Sequence, residues 1–289
     1  MRAIYDIPAP AKLNLFLHVV GRRADGYHLL QSLFVLIDWF DTLHVERRDD
    51  GRLARHDLAE ALPADDLCLR AARLLQSASG TSHGADISIA KQLPTGAGMG
   101  GGSSNAASTL LALNRLWGLD WPRSRLLELG LTLGADVPFF IGGRNAIVEG
   151  IGERLTPVDV QRQWLAVVKP AASIATAALF ASPLLVRDTE AAILASFAGI
   201  DKLVVAGFGR NDLQAAAEAE CAQVVRAATL LHRRFGNSRM TGSGSAVFAR
   251  AGTGPEPEVA MPGELEPGWT GRMCRSLSEH PLAGWSADC

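Results

Sequence analysis

The residues best suited to chemistry lie in one run, Pro94-Thr95-Gly96-Ala97-Gly98-Met99-Gly100-Gly101-Gly102-Ser103-Ser104. Five of the seven positions 96–102 are glycine. A backbone without β-carbons can turn its N–H groups inward around phosphate oxygens, and a helix that starts directly afterwards adds the positive end of its dipole. Ser103 and Ser104 bring hydroxyls to the point where that helix begins. A plain surface turn is disfavoured, because regular elements frame the run on both sides. Gly96, Gly98 and Gly101 do satisfy G-x-G-x-x-G, but a dinucleotide site needs an acid ending a second strand about 20 residues on. The acid found there, Asp120, adjoins Trp121-Pro122, where a helix starts. A Walker A loop would close on G-K-[S/T], and this loop has no lysine. What remains is a nucleotide-phosphate loop of another kind, whose lysine comes from elsewhere. Lys12 is the candidate.

The elements that must position these groups follow from periodicity. Residues 10–19 alternate with period two, which predicts a strand. Leu13, Leu15, Leu17 and Val19 fall on one face, and Lys12, Asn14, Phe16 and His18 on the other. Lys12 and Asn14 then point the same way, about 7 Å apart. A turn over 21–26 and further strands over 31–37 and 41–47 suggest an antiparallel sheet. Helical spacing predicts a helix over 65–77, capped by Asp65 or Asp66. A strand over 85–90 leads into the glycine run, and a helix over 103–116 leaves it. Trp121-Pro122 opens another helix, ending near Leu133 at Gly134.

Beyond Gly152 the pattern restarts with a strand over 164–169, helical stretches around 176–180, 189–198 and 211–235, a strand over 246–249 and a last strand near 269–274. A boundary near Gly152 divides the chain into residues 1–152 and 153–289. Asp136 follows the helix stop at Gly134; from the residues alone it is equally a general base or a turn residue. Lys12, taken alone, reads first as a solvated lysine on a strand face.

Bulk properties exclude several classes. With 48% apolar and 20% charged residues the chain is globular and can bury a real core. A net charge of −2 with scattered Lys and Arg argues against nucleic acid or an acidic membrane surface as partner. Four dispersed cysteines, without a C-x-x-C pair, argue against a zinc site and a disulfide framework. With no signal-like or spanning apolar stretch, the expectation is a cytoplasmic protein. A homodimer is left open.

Three motifs in order resemble the galacto/homoserine/mevalonate/phosphomevalonate (GHMP) kinase superfamily: Pro10-Ala11-Lys12-Leu13-Asn14-Leu15, the glycine-serine run, and Met240-Thr241-Gly242-Ser243-Gly244-Ser245. A narrower resemblance lies in Arg23-Ala24-Asp25-Gly26-Tyr27-His28, Gln31-Ser32-Leu33-Phe34, Gly134-Ala135-Asp136-Val137-Pro138-Phe139-Phe140 and Glu149-Gly150-Ile151-Gly152-Glu153. These are similar to the branch whose substrate is a cytidine diphosphate-linked methylerythritol, in the non-mevalonate route to isoprenoid precursors.

The resemblance implies a mixed α/β (α+β) fold of two domains with the active site in the cleft between them, and phosphoryl transfer from ATP with Mg²⁺ to the 2-hydroxyl of that small molecule. It implies Asp136 as general base and Lys12 as its partner, with Asn14 positioning substrate. It makes Tyr27, His28, Phe34 and Phe180 candidates for the cytidine end. Ser103 or Ser104 is within reach of the Mg²⁺, for which no acidic ligand stands out, and Ser243 is a further group near the phosphates. The rival readings are a homoserine- or mevalonate-type kinase and a nucleotide-binding relative without catalysis. Met99 stands where this branch has leucine, a volume-conserving swap. Residues 252–267 are too short and proline-rich for the helix expected before the last strand.

Overall fold

The computed structural model describes residues 1–59, 61–192 and 207–288. Two long strands dominate it. Strand β1 (Ala3–Arg22) and strand β2 (His28–Arg48) pair antiparallel along nearly their whole length. The expected strands over 31–37 and 41–47 are therefore one strand. It absorbs the polar interruption at Asp38 with a bulge, for Pro10 faces Phe40 while Ala11 already faces Ile37.

The other edge of β2 is shared. Its C-terminal half takes β4 (Gly84–Ala90), which in turn pairs in parallel with β3 (Leu53–Asp57). Its N-terminal half takes β5 (Ala146–Gly150), followed by β6 (Arg154–Pro157). Four helices accompany this sheet: α1 (Leu67–Ser79), α2 (Gly101–Leu116), α3 (Arg123–Leu133) and α4 (Val137–Gly142). Asp66 caps α1 by accepting from the Leu69 N–H, as its position predicted. Helix α2 is buried on nearly all sides, which its small Ala and Ser residues permit beside Leu110, Leu111 and Leu113.

A second, antiparallel sheet has the order β10-β7-β9-β8, built from β7 (Trp164–Lys169), β8 (Arg239–Met240), β9 (Val247–Arg250) and β10 (Thr270–Arg275). Helices α5 (Thr176–Ala181), α6 (Gln214–Glu220) and α7 (Ala222–Phe235) belong to this half. Residues 252–269 contain no helix.

Two expected helices differ. The stretch 189–198 falls mostly outside the described residues, and its described part, 189–192, is not helical. There the backbone is committed to the first sheet: Thr189 N donates to Val19 O (3.1 Å) and Ala192 N to Gln31 Oε1 (2.7 Å). The helix expected over 211–235 starts only at Gln214, because Asn211 bridges to Leu17 and Asp212 N donates to Leu17 O (2.9 Å). It is also broken at Cys221, which is extended (φ −142°, ψ 100°); nothing in the structure explains that break.

The free edge of β1 joins the halves. Lys12 N donates to Met99 O (3.0 Å), Asn14 N to Thr241 Oγ1 (2.9 Å), Leu17 N to Arg210 O (2.9 Å) and Val19 N to Asp212 Oδ2 (2.8 Å). The outward donors shift from even to odd numbers because of a second bulge: Asn14 faces Phe34, yet Phe16 faces Leu33. This corrects the expected faces. Phe16 leaves the face of Lys12 and Asn14 and joins Leu13 and Leu15 in one cluster, while Leu17 moves to the face that lines the cleft with Lys12.

The glycine run and the third motif also meet backbone to backbone. Ser245 N donates to Gly96 O (3.2 Å) and Ala246 N to Ala97 O (3.3 Å). Gly98 has φ +71°, and a β-carbon there would lie 2.3 Å from Thr241 O. The entry to the run is anchored by Asp41, fully buried, which accepts from Gln92 N (2.7 Å), Leu93 N (2.8 Å) and the Lys91 ammonium.

Two outcomes follow for urea denaturation. Asp41→Ala strands the Lys91 charge and two backbone donors, so it is expected to lower stability by about 3–5 kcal/mol. Gly98→Ala should cost at least about 1–2 kcal/mol for its left-handed backbone, with a further loss from the clash with Thr241 O. An unchanged midpoint in either variant would contradict this packing.

Candidate active site

Lys12 is 3% exposed and its ammonium has three neighbours. Nζ donates to Asn14 Oδ1 at 2.5 Å, lies 3.6 Å from Asp136 Oδ2 and sits 4.3 Å above the centre of the Phe34 ring. Burial pushes its pKa below the usual lysine range, and the Asp136 carboxylate opposes that fall. Asp136 precedes α4, in the short link after Gly134. Its side chain is one-third exposed, so it can meet both Lys12 and a ligand.

The glycine run alternates in function as well as in sequence. Gly96, Gly98 and Gly100 all have positive φ, whereas the Ala97 and Met99 side chains are buried in the core. The loop is thereby nailed down at two points while its glycines stay bare. A β-carbon at Gly100 would lie 2.9 Å from Phe140 and 3.3 Å from the Lys12 side chain. Gly101 and Gly102 form the first turn of α2, so the free N–H groups of a 16-residue helix open at the loop.

Two cavities flank the loop. One of ≈ 390 Å³ is lined by Pro94, Thr95, Gly96, Ala97, Gly98, Met99, Gly100, Gly101, Gly102 and Ser103, together with Leu62, Asp66, Leu67 and Lys91. The other, ≈ 170 Å³, is lined by Lys12, Asn14, Phe34, Asp136 and Phe180, among others. Gly98, Gly100, Thr176 and Ser243 line both. Thr176 Oγ1 and Ser243 Oγ are hydrogen-bonded at 2.7 Å across this common wall. Ser104 lines neither cavity; its hydroxyl is buried and, among the described residues, has no hydrogen-bond partner.

The aromatic candidates divide. Phe34 is buried beneath Lys12, edge-on to Phe139, and forms the floor of the smaller cavity. Phe180 lines that cavity and stacks on His28, with centroids 4.8 Å apart and planes at 28°. Arg187 Nε donates to His28 Nε2 (3.2 Å), and burial together with Arg187 and Arg22 lowers the His28 pKa. Neutral His28 therefore carries its proton on Nδ1. Tyr27 is 61% exposed on the neighbouring turn and does not line the cavity.

Sequence reasoning missed Thr176 and Arg187, which carry no local motif, and passed over Ser32 and Thr241 although each stands inside a quoted motif. Among the described residues no three His, Cys, Asp or Glu side chains converge as a metal site. Asp136 is the carboxylate of the smaller cavity; Asp66, on the larger one, is committed to the α1 cap and to Arg55 (2.9 Å).

Comparison with known proteins shows the family to which the chain belongs. Residues 66–144, which span the glycine run and Asp136, match the family described as GHMP kinases N terminal domain. The chain is 66% identical over 288 residues to the 4-diphosphocytidyl-2-C-methyl-D-erythritol kinase of Methylibium petroleiphilum, covering 99% of each. A crystal structure of 4-(cytidine 5'-diphospho)-2C-methyl-D-erythritol kinase matches with a TM-score of 0.75 and 31% identity, over 93% of this chain and 98% of that one. The homoserine kinase of Cytophaga hutchinsonii shares the fold, with a TM-score of 0.67 at 13% identity over 97% of this chain and 96% of that one. By sequence along its whole length and by fold, the chain belongs to the 4-diphosphocytidyl-2-C-methyl-D-erythritol kinase family of the GHMP kinases.

Proposed function

We propose that the protein transfers the γ-phosphoryl group of ATP, taken up with Mg²⁺, to the 2-hydroxyl of 4-diphosphocytidyl-2-C-methyl-D-erythritol, a step of non-mevalonate isoprenoid precursor synthesis. The observation that carries this reading is the common wall of the two cavities. Phosphates cradled by residues 96–102 reach Gly98 and Gly100, and on the far side of those glycines stand Lys12 and Asp136. Asp136 accepts the proton of the substrate hydroxyl as its oxygen bonds to the γ-phosphorus. The bond from that phosphorus to the β,γ-bridging oxygen breaks, and ADP leaves. Lys12 offsets the negative charge that develops on the transferring group. Mg²⁺ arrives with the nucleotide, and the scarcity of acidic side chains suits an ion held largely by phosphate oxygens and water.

The cytidine end is read from His28 and Phe180. A pyrimidine can stack on the Phe180 face, and the His28 Nδ1–H is a donor suited to its acceptor edge. Tyr27, exposed on the adjoining turn, is our further candidate for contact with the base. This aromatic group favours the cytidine compound over homoserine or mevalonate, which have no ring to stack. We take residues 1–152 and 153–289 as the two halves that frame the cleft. Among the described residues no helix is long and apolar enough to cross a membrane, and we assign the enzyme to the cytoplasm.

Purified protein with MgATP should release ADP with the cytidine compound and not with homoserine or mevalonate. Turnover of either small alcohol alone would remove the cytidine assignment. Asp136→Asn is expected to lower kcat by about 10²–10⁴-fold while calorimetric ATP affinity stays nearly unchanged; equal loss of both would make Asp136 structural. Because burial lowers the Lys12 pKa, the required ammonium is present at low pH and is lost as pH rises through that lowered value. The alkaline limb of the rate profile should accordingly lie below the usual lysine range, and a limb at or above that range would contradict the role.

A further inference from the structure

The Lys12 ammonium is aimed by Asn14, and Asn14 is itself held by a residue from the other half of the molecule. Thr241 follows β8 in the second sheet and is fully buried. Its hydroxyl oxygen accepts from the Asn14 backbone N–H at 2.9 Å, and its hydroxyl proton is donated to Asn14 Oδ1 at 3.2 Å. On the opposite side, Asn14 Nδ2 donates to Ser32 Oγ at 2.9 Å, and Ser32 spends its one proton on Phe16 O at 2.5 Å. Ser32 can thus only accept from Asn14, and two donors, Lys12 and Thr241, converge on Oδ1. The amide has one orientation that satisfies every partner.

We propose that Thr241 is a positioning residue for phosphoryl transfer: reaching across from the third motif, it fixes the Asn14 amide so that Oδ1 holds the Lys12 ammonium beside Asp136. An ammonium has three donors. With one directed to Asn14 and one toward Asp136, the third is left for the transferring group. Without the hydroxyl, the Asn14 N–H is orphaned and Oδ1 loses one of its two donors, so the amide is held only by Ser32 and Lys12 itself and the ammonium is less firmly aimed. Among the described residues lining this cavity Asp136 is the only other charged side chain, so none of them offers a second carboxylate to hold Lys12 in its place.

The inference rests on Lys12 and Asp136 being the reacting pair, and Asp136→Asn tests that reading separately. Thr241→Val removes the hydroxyl at constant shape, and Thr241→Ser keeps it. The valine enzyme is expected to lose about 10- to 100-fold in kcat with the ATP KM within about twofold, whereas serine should stay within about threefold of the natural enzyme. The second readout is the alkaline limb of kcat against pH. Loss of the ordered acceptor destabilises the charged amine, so the limb should move to lower pH in the valine enzyme and stay in place in the serine enzyme. Should the valine variant fail to fold, Thr241→Cys, a weak donor and acceptor, is compared with serine by the same two readouts. Valine (or cysteine) and serine enzymes with equal kcat and an unmoved limb would overturn the role of Thr241. An inactive Asp136→Asn beside a fully active Thr241→Val would discard the positioning role and leave the catalytic pair standing.

Discussion

Everything in the cleft depends on how one strand edge is satisfied. Strand β1 lies in the middle of the protein with only one edge paired to a regular strand, β2. A buried row of N–H groups without partners would cost about 1–3 kcal/mol for each group. The chain resolves this by docking loops rather than a strand. The glycine run takes Lys12, the third motif takes Asn14, and residues 210–212 take Leu17 and Val19. Two of the loops that complete the edge, the glycine run and the third motif, are thus also the ones that line the cavities. Cavity shape and backbone satisfaction are met by the same hydrogen bonds.

The electrostatic design is correspondingly sparse. Among the described residues one ammonium and one carboxylate line the smaller cavity, and an aromatic ring lies beneath the ammonium. In so poorly hydrated a place each charge exerts a long reach, and few are needed. Backbone amides of the glycine run and the α2 N-terminus line the larger cavity, and Lys91, the one lysine among its described lining residues, is paired with Asp41. A protein of net charge −2 can thus offer a site for an anion there without any basic patch.

Much of this was legible in the residues, and the exceptions have physical causes. The alternation from Lys12 to Val19 announced a strand, and the pairing of Lys12 with Asn14 followed from period two. The exchange of faces at Phe16 did not, because a bulge is dictated by the partner's register and leaves no mark on alternation. The glycine run revealed itself through composition. Thr241 did not, because its task is defined by a contact 227 residues away. Phe34, a candidate for the cytidine end, lines the smaller cavity and is also the floor for Lys12, a contact that alternation does not reveal. Likewise the short strands β5, β6 and β3 are recruited by their neighbours, β2, β5 and β4 respectively, rather than by strong patterns of their own.

The bulged edge of β1 also orders events during synthesis. The strand emerges from the ribosome long before residues 210 and 241, so its outward N–H groups at Asn14 and Leu17 wait for their partners there. Until then the amino-terminal half carries an open edge, the kind of surface that recruits other strands. Closing it demands contacts of large sequence separation, which fold slowly. A strand made early is therefore among the last to be completed, and a nascent or truncated chain ending before residue 240 is a sticky template for aggregation rather than a smaller version of the enzyme.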